Sequence, residues 1–387
     1  MRTRLTGARI VLANEVVEDG SVAIEDGRIA GIDDASRPGD TEIDLHGALL
    51  LPGLVDLHGD AIEKEVEPRP NAFFPLPVAL ASIDQRSVAS GITTAFHWLS
   101  FADGELGVRD IVVAERVARA LRAHAPNALA DNRVHVRYEI TDPKSFGVVE
   151  RLVTEGIAGL LSFMDHTPGQ GQFKDVASYK AYFGKVYRTD DQALDTLIGA
   201  KEKEAANALA RMEELARHAR QYGVAMAGHD DEGPERIALM ARLGATISEF
   251  PCDLATAREA HAKGLATLFG APNVVRGRSL SGALSARDAI ASGVASCLCS
   301  DYAPQALLPA VGVLVSELGL SWPEAVRLVS ANPARAAGLV DRGEIAVGKS
   351  SDLVVAGDLD GTLIADAVWR SGCLIYSTGR LPRSAQS

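Results

Sequence analysis

The chain has 387 residues, a net charge of −12, 47% hydrophobic and 23% charged residues, which suits one large α/β barrel plus a small accessory domain. The acidic balance argues against nonspecific binding to nucleic acid or anionic membranes, although a local Arg and Lys cluster can still hold an anionic substrate. Cys252, Cys297, Cys299 and Cys373 form no CxxC motif, and no apolar segment follows the N-terminal arginines; a reducing, cytoplasmic setting without a membrane span is expected.

The segments ARIVLAN, GSVAIEDGRIAGID and TEIDLHGALLLPG are rich in β-branched residues, with Asp26-Gly27 as a hairpin turn. GEIAVGKSSDLVVAGD and AVWRSGCLIYSTGR share that texture, so residues 1–53 and 340–387 are expected to form one small β-sandwich domain. Across residues 54–339, apolar β-rich runs alternate with helical segments. The runs are GLVDLHGD, GITTAFHWLS, RVHVRYEIT, GLLSFMDH, GVAMAGHDD, GATISEFP, PNVVRGRS and VASCLCSDYAP. Stretches such as DIVVAERVARALRAHA, ANALARMEELARHARQYG and LATAREAHAKG lie between them. Eight strand–helix units predict an α/β fold, a TIM-like (β/α)8 barrel. A long loop or helical insert at about residues 167–205 follows the fourth strand, on the face where such barrels carry active sites.

Acids and histidines recur where the runs end. His58 and Asp60 end the first, His97 lies in the second, and Glu139 ends the third. Asp165-His166, His229-Asp230-Asp231, Glu249 and Asp301 close the fourth, fifth, sixth and eighth. Any one alone also fits a turn cap or a satisfied core residue. Together on one face, the carboxylates would repel and raise one another's pKa values unless a cation lay among them. Imidazole nitrogen with carboxylate oxygen suits one or two Zn2+, Mn2+ or Fe2+ ions better than Ca2+. Cys297 and Cys299 share one strand face and read as barrel core.

LPGLVDLH, SDYAP and SANPARAAGLVDRGEIAVGKSSDLVV resemble the amidohydrolase superfamily, a likeness that extends over nearly the whole chain; Ser351 stands where that family usually has Ala. DLHGDAIEKEVEPRP, SGITTAFHWLS, SFMDHTPGQGQF, HDDEGPERI, EFPCDLATA, GAPNVVRGRSLSG and SDYAPQALL are similar to one branch, the diphosphatases of the carbon–phosphorus lyase pathway for phosphonates. The resemblance implies metal-dependent hydrolysis of alpha-D-ribose 1-methylphosphonate 5-triphosphate to the 5-phosphate and pyrophosphate. It implies His58, Asp60, His166 and His229 as metal ligands and Asp301 as the metal-adjacent acid that takes the proton of the attacking water. Many relatives bridge their metals with a carbamylated lysine on the fourth strand; GLLSFMDH has no Lys, which makes Glu139 the candidate bridging carboxylate. His58-Gly59-Asp60 replaces the commoner His-x-His, and Glu249 stands where many relatives have His, which leaves open whether Glu139 or Glu249 is a ligand.

A phosphorylated substrate needs cationic donors. Arg276, Arg278, Ser279 and Ser281, interleaved with Gly277 and Gly282, offer forked donors and close backbone approach after the seventh strand. Lys64 and Arg69 follow the first motif, the latter between two prolines. Lys174, Lys180, Lys185 and Arg188 in the insert also fit a solvated helical face, and Gly169–Gln172 could close as a lid. No GxxxxGK[ST] loop is present. The expected partner is a small anionic phosphorylated substrate, and a homodimer is left open. The rival readings are a deaminase or cyclic amidase acting on a C–N bond, against which the Arg-rich loop speaks, and a non-catalytic barrel relative.

Overall fold

The computed structural model describes residues 2–102, 107–168, 175–187, 190–279 and 284–380. Lys174, Arg188, Ser281, Gly282 and the Gly169–Gln172 segment lie outside these residues, as does the side chain of Lys185. In chain order the strands are β1 (Thr3–Val11), β2 (Val16–Glu25), β3 (Arg28–Ile32), β4 (Thr41–Asp44) and β5 (Leu49–Pro52). Next come β6 (Leu54–Gly59), β7 (Ile92–Phe101), β8 (Asp131–Glu139), β9 (Ala158–Met164), β10 (Ala225–His229), β11 (Ile247–Glu249), β12 (Ala266–Gly270) and β13 (Cys297–Cys299). The chain ends with β14 (Leu353–Leu359), β15 (Thr362–Arg370) and β16 (Cys373–Ser377).

Both chain ends build one sheet, ordered β16-β15-β14-β5-β1-β2-β3, with β4 also on β1. The β2–β3 hairpin turns at Asp26 and Gly27, both at positive φ (49° and 75°), as a two-residue turn matched to strand twist requires. The two ends join where β5 pairs antiparallel with β14, Leu50 opposite Val355. Leu5, Ile10, Val22, Leu50, Val355 and Trp369 share one buried core across that join. Further apolar residues of the sheet, among them Leu51, Val354 and Val368, pack with Leu307, Val311 and Leu314 of the helix at Leu307–Ser316.

Strands β6 to β13 form a parallel sheet in chain order with helices outside, the (β/α)8 arrangement expected from the alternation of runs. Side chains alternate across it. Val55, Leu57, Phe96, Leu160, Ala227, Ile247, Leu268, Cys297 and Cys299 fill the interior, whereas Leu99, Phe101, Val136, Tyr138, Leu161 and Phe163 pack outward under the helices. The two cysteines are therefore core, and all four are free.

One predicted strand is displaced. PNVVRGRS is not the seventh strand; β12 is, and Ala271–Arg276 is a short helix. Pro272 in its first turn and Gly277 at its end, with φ 76°, are start and stop signals that outweigh two valines. The insert contains helices at Val176–Tyr187 and Asp191–Gln221, and the second continues without a break into the helix preceding β10. Arg211 ties it to the end of β8 by donating to the Ile140 carbonyl at 3.0 Å.

The barrel closes between β6 and β13. Asp301 N–H donates to His58 O at 2.9 Å and Asp60 N–H donates to Asp301 O at 3.0 Å. Below this bridge the buried Asp56 carboxylate accepts from Ser300 N–H (2.9 Å), Ser300 Oγ (2.5 Å) and His58 N–H (3.3 Å). Asp56→Ala would strand these donors in the seam. It is expected to lower the free energy of unfolding by about 2–4 kcal/mol, read from denaturant melts; a loss below the error of the melts would show that the seam does not depend on this carboxylate.

Candidate metal centre and active site

The first strand would bury Val55 and Leu57 by simple alternation and turn His58 away from the interior. A bulge changes this: β6 uses three steps from Asp56 to Gly59 where β7 uses two from Ala95 to His97. His58 thereby stacks on His229 (5.5 Å between centroids, 15° between planes) and meets His135 edge-on at 5.3 Å. The Leu57 carbonyl is bonded by His135 Nδ1 at 3.1 Å instead.

Glu249 lies among these rings. Its carboxylate is 3.1 Å from His229 Nδ1 and 3.5 Å from both His58 Nδ1 and His135 Nε2. His58, His229 and Glu249 are all buried, with one potential ligand atom each within 4.8 Å of the others. Among the described residues, His58 Nδ1 and Glu249 Oε1 have no hydrogen-bond partner. Buried donor atoms left unsatisfied in this way fit a divalent ion, and nitrogen with oxygen donors suits Zn2+, Mn2+ or Fe2+. His58, His166 and His229 are all held well below the usual imidazole range, by burial first and then by the Arg137 charge. They are neutral and can ligate.

Acids surround the cluster. Burial pushes Asp230, Glu249 and Asp301 up to about 7, and for Asp301 the nearby Asp60 and Asp56 charges add to it. Asp60 is raised by burial and drawn back by Arg109, Arg137 and Lys64. Asp230, Phe250 and Asp301 all have left-handed backbones, φ 51°, 52° and 53°, at the ends of β10, β11 and β13. For a bulky Phe this is costly, and such strain concentrates at functional sites. Phe250 uses it to pack edge-on against His58 and His229.

Glu139 and His166 form a second group beside the first. His166 Nδ1 is 3.4 Å from Glu139 Oε2, and Lys201 Nζ, from the long insert helix, is 3.1 Å from the same oxygen. Glu139 also accepts from Thr141 Oγ1 at 2.7 Å. Thus Glu249 joins the two histidines, whereas Glu139 orients His166 and pairs with a lysine.

The other residues expected at the site lie around it or apart from it. His97 bonds Asn132 Oδ1 at 2.7 Å, and Asp165 caps the Thr167 N–H. Asp231 turns away from the acids to Ser248 and Arg236; a Cβ on Gly228 would lie 2.3 Å from its carboxylate, so only glycine leaves it room. Arg276 and Arg278 are exposed, and Arg276 reaches Tyr302 Oη at 3.4 Å, next to Asp301. Lys64 and Arg69 are exposed on the chain after β6. Ser279 lies just past Arg278, half-buried. Lys180 pairs with Asp195 at 2.6 Å within the insert.

Four site residues escaped a reading confined to strand ends: His135, Arg137, Arg109 and Lys201. The first two were visible as a period-two set, since His135, Arg137 and Glu139 share one face of β8. Lys201 carried no such signal, because a lysine on a polar helix looks like any solvated one.

A buried His/Glu cluster able to hold a metal ion, with a flanking acid, lies at the C-terminal strand ends of a parallel barrel, the architecture of the barrel hydrolases. Residues 191–372 match the amidohydrolase family. The chain is 35% identical over 382 residues to the alpha-D-ribose 1-methylphosphonate 5-triphosphate diphosphatase of Escherichia coli (strain K12), covering 96% of this chain and 100% of that protein. This chain belongs to the amidohydrolase family. The fold is shared with N-acetyl-D-glucosamine-6-phosphate deacetylase from Mycobacterium smegmatis, at TM-score 0.62, 19% identity, and coverage of 97% and 100%. It is also shared with 5-methylcytosine deaminase from Klebsiella pneumoniae, at TM-score 0.65, 16% identity, and 97% coverage of each chain.

Without a cation, three acids titrating near 7 in the fold and near 4 when unfolded retain protons that the unfolded chain has lost. Their contribution therefore falls as pH rises from about 4 to about 7, and a divalent ion must displace those protons. Added Zn2+ or Mn2+ is expected to raise Tm more at pH 8 than at pH 6, by scanning calorimetry. An equal rise at both values would separate ion binding from these carboxyls.

Proposed function

We propose that this protein hydrolyses alpha-D-ribose 1-methylphosphonate 5-triphosphate to the 5-phosphate and pyrophosphate, as a zinc-dependent enzyme of the cytoplasm. The observation that carries the reading is the buried His58–His229–Glu249 cluster beside Asp301, in a chain that aligns over 96% of its length with that diphosphatase. The four free cysteines support the reducing compartment. No helix among the described residues is long and apolar enough to cross a membrane.

His58, His229 and Glu249 would hold the ion, with Asp60, Asp301 and His166 beside them; we infer that Glu139 acts on His166 by fixing its tautomer, Nδ1–H towards the carboxylate. When bound, a divalent ion supplies Lewis acidity and makes water easier to deprotonate near neutrality. Asp301, held near 7 by burial and its acidic neighbours, can accept the proton of the attacking water and release it again at working pH. The water attacks the phosphorus nearest the sugar, and pyrophosphate departs. Arg276, Arg278, Lys64 and Arg69, exposed on the segments that follow β12 and β6, meet the charge of the polyphosphate and its leaving group. Tyr302 holds Arg276 on the Asp301 side.

31P NMR of the reaction with this substrate, with and without chelator, tests the reading. Pyrophosphate should appear only where the metal is retained; no cleavage, together with ammonia release from a panel of bases and lactams, would transfer the protein to C–N chemistry. Asp301→Asn is expected to lower kcat by roughly 10²–10⁴-fold while metal content by elemental analysis stays near that of the parent. Unchanged turnover would remove Asp301 from the proton path.

A further inference from the structure

Strand β7 carries two buried polar atoms that no described residue satisfies. Trp98 Nε1 and Ser100 Oγ lie on residues each 1% exposed, and neither atom has a hydrogen-bond partner among the described residues. Both belong to the inward face of the strand, since Phe96 lies in the barrel interior while Leu99 and Phe101 pack outward. Orphaned buried donors are uncommon in folded proteins and each needs a cause.

Two guanidinium groups flank them. Arg137, inward on β8 and buried, stacks over the Trp98 ring at 4.1 Å, with Nε 2.9 Å from Met164 Sδ and a terminal nitrogen 3.4 Å from His166 Nε2. Arg109, beyond the end of β7, lies over the same ring at 4.8 Å and is held by a forked pair of bonds to Glu63 (2.8 and 2.9 Å). The indole is thus in contact with two cationic groups, with the His58 ring 6.0 Å away between centroids. Positive charge and unused N–H and O–H donors on one wall describe an acceptor-rich anion.

We propose that Trp98, Ser100 and Arg137, with Arg109 behind them, form a subsite for a phosphoryl or phosphonyl dianion. The proposal deepens the diphosphatase reading and rests on it for the identity of the ligand. The same chemistry is present at both ends of that substrate, in the methylphosphonate and in the polyphosphate. On this wall the dianion accepts from the indole N–H and the serine O–H and pairs with the Arg137 guanidinium, which stands between it and the histidine cluster.

Isothermal titration of the protein as purified, with methylphosphonate in one arm and pyrophosphate in the other, tests the subsite. Ser100→Ala removes a donor that supports nothing else among the described residues, so its melting temperature should match the parent, whereas Trp98→Phe also trims a buried ring under Arg137 and should melt lower while remaining folded. Each should weaken the anion held here about five- to tenfold, and Arg137→Met about 10- to 100-fold. The arm that weakens identifies the end of the substrate. Equal affinities in parent, Ser100→Ala and Trp98→Phe would overturn the subsite, as would failure of both anions to bind the parent at millimolar concentration. The two readings fail separately. Turnover with unaltered kcat and KM in both variants would sink the subsite and leave the reaction, whereas anion binding that depends on Ser100 without pyrophosphate release would do the reverse.

Discussion

Charge placed out of water is the constraint around which this barrel is organised. Asp60, Glu139, Asp230, Glu249 and Asp301 crowd one end of the sheet, and burial raises all five above the usual carboxyl range. Isolated carboxylates in such a place would simply stay protonated. The protein supplies cations of its own: Arg137 lowers Asp60, Asp230, Glu249 and Asp301, and Lys201 lowers Glu139. These do not suffice, since three of the acids still titrate near 7, and the remaining deficit is what a divalent ion on His58, His229 and Glu249 would fill.

The same positive charges keep the imidazoles neutral. Arg137 depresses His58, His166 and His229 while drawing the acids towards ionisation. One guanidinium thus pushes both donor types into their ligating forms, which suits its position near the C-terminal end of the third barrel strand. Its own burial is offset by stacking on Trp98 and by the acids it serves.

The architecture was legible because it depends on periodicity. Alternating strand and helix segments, hairpin turns and β-branched ends each leave local marks, and seven of the eight barrel strands lie where those marks fall. The seventh strand shows their limit: PNVVRGRS looks apolar and extended, but capping by Pro272 and Gly277 makes it helical, and the plainer run ATLFG is the strand. At the site, strand-end residues were readable and side-chain partners were not. That Glu249 rather than Glu139 approaches His58 and His229 follows from the bulge in β6 and the left-handed residues after β10 and β11. Such backbone irregularities leave little trace in composition. Lys201 enters through the tertiary path of a 31-residue helix, which no local pattern encodes.

The positions of the cations also bear on how a doubly anionic substrate would lie. Arg276 sits beside Tyr302, next to Asp301 on the β13 side, whereas Arg137 and Arg109 stack on Trp98 between β7 and β8. Arg276 is exposed at the end of its short helix, whereas Arg137 is buried in the wall with the half-buried Arg109 behind it. An exposed arginine is screened by water and salt and serves to attract; a buried one is screened far less and fixes what it touches. In the proposed reaction the flexible polyphosphate needs release after each turnover, and exposed arginines suit a group that must leave. A rigid subsite of indole, hydroxyl and guanidinium suits a group that stays in register while the bond breaks. Placing the retained dianion on the inner wall and the departing one near the loop puts the His58–His229–Glu249 cluster and Asp301 between them, where the scissile bond of such a substrate would lie.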